Sequence, residues 1–218
     1  MEIQEEIWKG ENWCFPVLSF NEFVNLELLI LDYVHVHRLK IEKLKHLKIF
    51  HLGFLKEEKS CNSNLVGLEL NNHPKIFDLA LSNTGIASLD FDSLDDLRHL
   101  FLSDEINLSK IDLSNQEKLE TITITRNPKC TYNQLFFKDK HNLTFIHLEI
   151  DLPSILEFSN QPDLEELKLE KIVEMIDISK NTNIKRLKIV DTEKTQLIVN
   201  KDQRHLCYGR KLVKIKQI

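Results

Sequence analysis

Short apolar triplets of the form Leu-x-x-Leu-x-Leu recur along most of the chain. When the middle apolar residue of each triplet is taken as a marker, successive markers are 21, 29, 21, 22, 24, 21 and 20 residues apart. Because side chains of a strand point alternately to its two faces, each Leu-x-Leu predicts a short strand with one buried face. The eight markers are Leu29, Phe50, Leu79, Leu100, Ile122, Ile146, Leu167 and Leu187.

A second series of apolar alternations lies between the members of the first. Its markers are 29, 21, 22, 24, 21, 20 and 21 residues apart, so the two series lengthen and shorten together. This co-variation predicts a repeated unit of about 21 residues with two apolar sides. The markers of the second series are Leu39, Leu68, Leu89, Ile111, Leu135, Leu156, Ile176 and Leu197.

A single unit of this length cannot bury two apolar sides, so we expect the units to stack. Each strand would then pair in parallel with its equivalent in the next unit. The predicted fold is one solenoid domain over residues 26–200, with about eight coils, parallel strands on one or both sides and few helices. The long step between Phe50 and Leu79 predicts a polar surface insertion at residues 55–63.

Both ends of such a solenoid expose the core and need a cap. Residues 1–25 contain Trp8 and Trp13, and we expect them to form an N-terminal cap. Residues 201–218 end in an alternating, lysine-rich stretch, and we expect them to form a C-terminal cap that includes a closing strand.

Units such as IDLSNQEKLETITITRN and MIDISKNTNIKRLKIV resemble leucine-rich repeats, particularly the short, irregular repeats of bacterial proteins. The resemblance covers about residues 26–200 and implies a leucine-rich repeat solenoid. It is specific for architecture and says little about function. The family carries asparagines that bond backbone groups at the coil corners, and the residues here that fit this position are Asn72, Asn83, Asn115 and Asn160.

The outward residues of the first-series strands form the candidate partner-binding face. This face is predicted to be apolar and aromatic in its N-terminal half and basic in its C-terminal half, and exposed apolar residues in a row are typical of an interface. The alternative is that a cap or the insertion covers them. The predicted binding residues are Ile30, His51, His99, Phe101, Phe145 and His147, with Lys168, Arg186 and Lys188 as a charged rim.

The outward positions of the second series carry carboxylates in five coils. Strands of a sheet are about 4.8 Å apart, so these charges would form an acidic ridge. One interpretation is electrostatic docking of a basic partner. The alternative is a solvated surface with no binding role. The predicted ridge consists of Glu69, Asp90, Asp112, Glu157 and Asp177.

Composition excludes several function classes. The 218 residues carry a net charge of −5, which is unlike a nucleic-acid-binding protein. The five glycines are isolated, so neither a dinucleotide-binding fingerprint nor a P-loop can be built from them. The four cysteines are widely spaced, which predicts free thiols. We expect no metal, no cofactor and no catalytic activity.

No apolar stretch is long enough to cross a membrane, and the acidic N-terminus is unlike a secretory signal. We therefore expect a cytoplasmic protein, unless a signal peptide is missing from the sequence.

The leading hypothesis is a non-catalytic protein-binding module. A sharper form is an intracellular inhibitor or immunity protein that neutralises a toxin or effector. The alternative is a surface or secreted adhesion module. A further hypothesis is oligomerisation through the apolar half of the face.

Overall fold

The computed structural model describes residues 14–32, 34–53, 65, 67–105, 107–131, 133, 135–137, 140–158, 161–190, 195–207 and 213–216. The predicted insertion at residues 55–63 lies outside the described residues, as do Trp8 and Trp13 of the predicted N-terminal cap.

All eight first-series triplets form strands, and the strands pair side by side in one parallel sheet. This confirms the predicted solenoid of about eight coils. In spatial order from one end to the other, the strands are β2 (Leu28–Asp32), β4 (Ile49–Gly53), β5 (Asp78–Ser82), β6 (His99–Ser103), β8 (Thr121–Thr125), β10 (Phe145–Glu149), β12 (Glu166–Leu169) and β14 (Arg186–Ile189).

The strands of this sheet are in register at the residues that the sequence pattern marks. Leu29 lies opposite Phe50, which lies opposite Leu79, and the same alignment continues to Leu187. These inward residues are buried in one continuous core, except that Leu187, on the edge strand β14, is only partly buried. Each coil therefore covers the apolar residues of the next.

The second side of the solenoid is less regular. Its strands form three separate parallel sheets: β1 (Cys14–Ser19) with β3 (His35–Lys40); β7 (Ile111–Asp112) with β9 (Leu135–Phe136); and β11 (Ile155–Glu157), β13 (Met175–Asp177), β15 (Gln196–Asn200) and β16 (Val213–Lys216).

At two second-series markers, Leu68 and Leu89, the described backbone is not a strand, so the pattern overpredicts strands on this side. Local geometry explains the difference at Leu68. Gly67 has a φ of 71°, which lies in the left-handed region rather than the extended one. The turn at Asp90, which accepts a hydrogen bond at 2.9 Å from the backbone N–H of Asp92, does not explain the missing strand at Leu89, because Asp112 and Asp177 make the same turn within paired strands.

Both terminal segments extend the second side. Strand β1 lies within the predicted N-terminal cap and pairs in parallel with β3. After β15 the chain forms a 3-10 helix at Lys201–Cys207, and β16 then pairs in parallel with β15. The described part of each end therefore adds a strand to the stack.

A column of buried polar side chains holds the corner that follows the second-side strands. Each reaches back to a backbone carbonyl of the preceding coil: Gln116 Nε2 donates to Phe91 at 2.7 Å, and Asn181 Nδ2 donates to Gln161 at 2.9 Å. The other members that make such a bond are His73, Lys140 and Gln203.

The predicted corner asparagines are not the residues that make these bonds. Asn72 and Asn115 are exposed, and each precedes the buried polar residue of its coil by one position. Asn115 donates to the Asp92 carboxylate on the surface instead. Asn83 has a left-handed φ of 57° at the opposite corner, and Asn160 lies outside the described residues.

The opposite corner, after the first-side strands, contains a buried carboxylate. Glu105 accepts hydrogen bonds from the backbone N–H groups of Thr84 and Gly85, at 2.9 and 3.1 Å, and from the Thr84 hydroxyl at 2.8 Å. The Asn127 side chain accepts the N–H of Glu105 itself at 2.7 Å. Burial raises the pKa of Glu105 above 4.5, although these hydrogen bonds oppose the shift.

Replacing Gln116 by alanine should lower the free energy of unfolding by about 1–2 kcal/mol, because it removes one of the two hydrogen bonds that the Phe91 carbonyl accepts, together with a buried side chain; the backbone N–H of Leu94 still donates to that carbonyl. The matched change of the exposed neighbour, Asn115→Ala, should alter it by less than about 0.5 kcal/mol. Urea unfolding of the two variants checks this. Equal losses would contradict this, because they would show that the buried glutamine contributes no more to the corner than the exposed asparagine.

Glu105→Gln should change the pH dependence of stability. A carboxyl group whose pKa is raised on folding contributes stability below its unfolded pKa, and this contribution is lost as pH rises through the folded-state pKa. Relative to Glu105→Gln, the wild type should therefore be more stable at about pH 4 than at about pH 7. Thermal unfolding at both pH values measures this difference. If the wild type instead gains stability relative to Glu105→Gln as pH rises, the hydrogen bonds lower the pKa of Glu105 by more than burial raises it.

Candidate protein-binding face

The outward-pointing side chains of the eight-stranded sheet form the surface that we call the first face. Its central row crosses all eight strands in register, with neighbours about 4.8 Å apart and a total length of about 34 Å. From β2 to β14 the row reads Ile30, His51, Ala80, Phe101, Thr123, His147, Lys168 and Lys188.

The structure brings all nine predicted binding residues together on this face. Six of them lie in the central row, and the other three, His99, Phe145 and Arg186, lie in the row beside it, two residues earlier on their strands. Because all eight strands share the same register, residues of β2 and β14 lie on one surface although they are far apart in the sequence.

The N-terminal half of the first face carries two large exposed apolar residues among mostly polar ones. Ile30 and Phe101 remain 42% and 41% exposed, which is high for large apolar residues on the strands of a sheet. The two histidines of this half bond to neighbouring strands. His51 Nε2 lies 3.1 Å from Asp78 Oδ1, and His99 Nδ1 lies 3.1 Å from the Thr121 hydroxyl.

The C-terminal half carries the predicted basic rim, but its cations are paired with glutamates that the sequence analysis missed. Lys168 lies 2.7 Å from Glu170 Oε1, and Lys188 lies 3.6 Å from the same oxygen. Arg186 lies 2.6 Å from Glu166 on the neighbouring strand. The signal for this pairing was present, because Glu166 occupies the same register position as Arg186.

His147 also belongs to this charged group. Its Nε2 lies 3.6 Å from Glu170 Oε1, and its side chain is only 16% exposed. Burial lowers the pKa of His147, Lys168 lowers it further, and Glu170 opposes the shift. The pKa of Glu170 is itself lowered by its hydrogen bond with Lys168. The result is a compact and largely neutralised surface.

The predicted acidic ridge is not a continuous row of free carboxylates. Asp177 is buried, so its prediction as an outward ridge residue is wrong. Its carboxylate accepts hydrogen bonds from the backbone N–H and the hydroxyl of Ser179, at 3.0 and 2.6 Å, which holds it against the local turn. Asp112 makes the same two bonds with Ser114 but stays partly exposed.

The remaining ridge residues, Glu69, Asp90 and Glu157, are exposed. An exposed phenylalanine, Phe136, lies opposite Asp112 on the neighbouring strand β9. Lys110 lies 3.2 Å from Asp112 and 5.4 Å from the centre of the Phe136 ring. Two of the five predicted ridge carboxylates are therefore engaged in local turns, and the ridge is not one continuous docking surface.

The described residues contain no group of three or more side chains suited to hold a metal ion. Cys130 is a buried free thiol, and burial raises its pKa to about 11, which makes it a poor nucleophile. Among the helices of the described chain, none is long and apolar enough to span a membrane.

The similarity of this chain to a solved structure decides the type of solenoid. The functional domain of InlJ from Listeria monocytogenes, described as including a cysteine ladder, superposes on 85% of this chain with a TM-score of 0.54 and 16% sequence identity. The fold is a leucine-rich repeat solenoid. The chain spans about half the length of the InlJ structure. No family model and no curated protein matches the sequence.

The titration of His147 tests the charge group of this leucine-rich repeat face. Glu170→Gln should lower the pKa of His147 further, because it removes a charge that raises it. Lys168→Met should raise the pKa, because it removes a charge that lowers it. Histidine proton shifts followed by NMR over a pH series measure both effects. Shifts of the same sign in the two variants would contradict the described arrangement.

Proposed function

We propose that the chain is a non-catalytic protein-binding module that uses the first face, with its N-terminal half as the main contact. The observation that carries this proposal is the exposure of Phe101 and Ile30 on a regular sheet. Large apolar side chains held exposed on a rigid surface bury area in a complex at little cost in conformational entropy.

The rigidity of this surface supports a binding role for the exposed Phe101 side chain. The inward neighbours of Phe101 on the same strand, Leu100 and Leu102, are fully buried, so the strand cannot turn its outward residue inward. The C-terminal half adds paired charges at one end of this apolar region. Apolar contacts bordered by polar and charged residues are usual in protein interfaces.

Leucine-rich repeat modules typically bind proteins and are typically not catalytic, which supports a binding role over an enzymatic one. The inhibitor or immunity role, the adhesion role and the cytoplasmic location all stay predictions from the sequence. The second side gives the inhibitor hypothesis little support, because Asp112 and Asp177 are engaged in local turns. We therefore base the proposal on apolar contact through the first face.

Phe101→Asp should abolish partner binding, because it places a charge at the centre of the apolar contact. A buried aromatic hot spot is worth about 2–4 kcal/mol, which is a loss of roughly 30- to 1000-fold in affinity. Phe136→Asp is the matched control, since Phe136 is also 41% exposed but lies on the second side. Immobilised wild type and both variants are compared by quantitative mass spectrometry of proteins retained from the source cells.

The proposal predicts proteins that the wild type and Phe136→Asp retain and that Phe101→Asp loses. Loss with Phe136→Asp but not with Phe101→Asp would move the binding surface to the second side. Equal retention by all three proteins would contradict the proposal. Light scattering of the same three proteins shows whether the partner is a second copy of the chain.

A further inference from the structure

The N-terminal half of the first face carries an uncompensated negative charge. The outward positions of β2, β4, β5, β6 and β8 contain no lysine or arginine, and their two carboxylates are Asp32 and Asp78. Asp78 lies 3.1 Å from the His51 ring. Asp32, at the end of β2, is exposed and has no ion-pair partner among the described residues.

Asp32 is exposed, and the described residue beside it on the sheet carries no side chain. Its register neighbour on β4 is Gly53, and a Cβ atom placed there would lie 3.4 Å from Asp32 Oδ1. A side chain at position 53 would cover this carboxylate, and glycine leaves it accessible. Asp32 also lies two residues from Ile30 on the same side of the strand, so charge and apolar surface adjoin.

Three cations of the described residues near this half of the face are already paired. Lys48 lies 2.9 Å from Glu27, and Arg98 lies 3.4 Å from Glu120. Arg126 lies 2.7 Å from Asp104. None of these pairs includes Asp32, and no other cation of the described residues pairs with it, so its carboxylate can accept a cation from a partner. In the C-terminal half, by contrast, Glu166 and Glu170 are already paired on the face.

We propose that the N-terminal half of the first face binds a protein segment that places an apolar side chain on Phe101 and Ile30 and a lysine or arginine on Asp32. This inference rests on the proposed function and names the chemistry of its partner. Apolar contact supplies most of the affinity, and the charge pair selects and orients the segment.

The dimensions of the sheet limit the size of this segment. Ile30 and Phe101 are three strand spacings apart, or about 14 Å. A helix covers this distance in about nine or ten residues, and an extended chain in about four. A peptide of twelve residues is therefore long enough to reach both apolar residues and the carboxylate.

The test is a selection of random twelve-residue peptides displayed on phage against the whole chain. The enriched peptides are then synthesised, and their affinities are measured by fluorescence anisotropy. We expect sequences that combine aromatic or aliphatic residues with at least one lysine or arginine. Phe101→Asp should weaken them by at least 30-fold and Asp32→Asn by about 2- to 5-fold.

Asp32→Lys makes the charge test specific. Selection on this variant should enrich acidic residues in place of basic ones. Asp95→Lys is the matched control, because Asp95 is an exposed carboxylate in a turn away from the sheet positions. It should leave the basic preference unchanged. Circular dichroism and thermal unfolding confirm that each variant is folded.

Two failures are distinguishable. The predicted partner chemistry would be wrong if the peptides depend on Phe101 but show no preference for basic residues. It would also be wrong if that preference persists in selection on Asp32→Lys. Neither result would contradict binding at the first face. Peptides insensitive to Phe101→Asp, or no enrichment at all, would overturn the face as well.

Discussion

The structure depends on the in-register stacking of inward apolar side chains across eight parallel strands. Leu79, for example, is covered by Phe50 on one side and Leu100 on the other, and all three are buried. No coil could bury these residues alone, so each coil is stable only between its neighbours. The same register fixes the outward residues in rows, and the binding face is thus a consequence of how the core is built.

The regular part of this architecture was predictable because its signal is local. A Leu-x-Leu alternation specifies a strand and its buried face from residues two positions apart. The corners were not predictable in the same way. Gln116 bonds to Phe91 across 25 residues, and nothing near Gln116 distinguishes it from Asn115 as the bonding residue. Asp177 was misplaced because its burial depends on its neighbours on the adjacent strands, Glu157 and Ile198, and not on its own alternation: Asp112 makes the same bond to a serine and stays partly exposed.

The charges of the face also divide into what the local sequence predicts and what depends on a neighbouring strand. Each basic residue of the rim was identified correctly as outward-facing, but its net effect depends on the next strand. Glu166 pairs with Arg186, and Glu170 pairs with Lys168. The C-terminal half of the face is therefore a set of paired charges and not a basic patch. Phe101 required only the strand pattern, because its buried neighbours Leu100 and Leu102 fix the direction in which its side chain points. The exposure of Phe101 was for this reason better predicted than the charge of the rim.

The most direct test of the binding face is site-specific photocrosslinking in the cells that make the protein. A benzophenone amino acid replaces one outward residue at a time: Ile30 or Phe101 in the N-terminal half, Lys188 at the far end, and Phe136 on the second side. The account predicts strong crosslinks to one protein from positions 30 and 101, weaker ones from 188 and none from 136. Crosslinks mainly from 136, or from none of these positions, would contradict it.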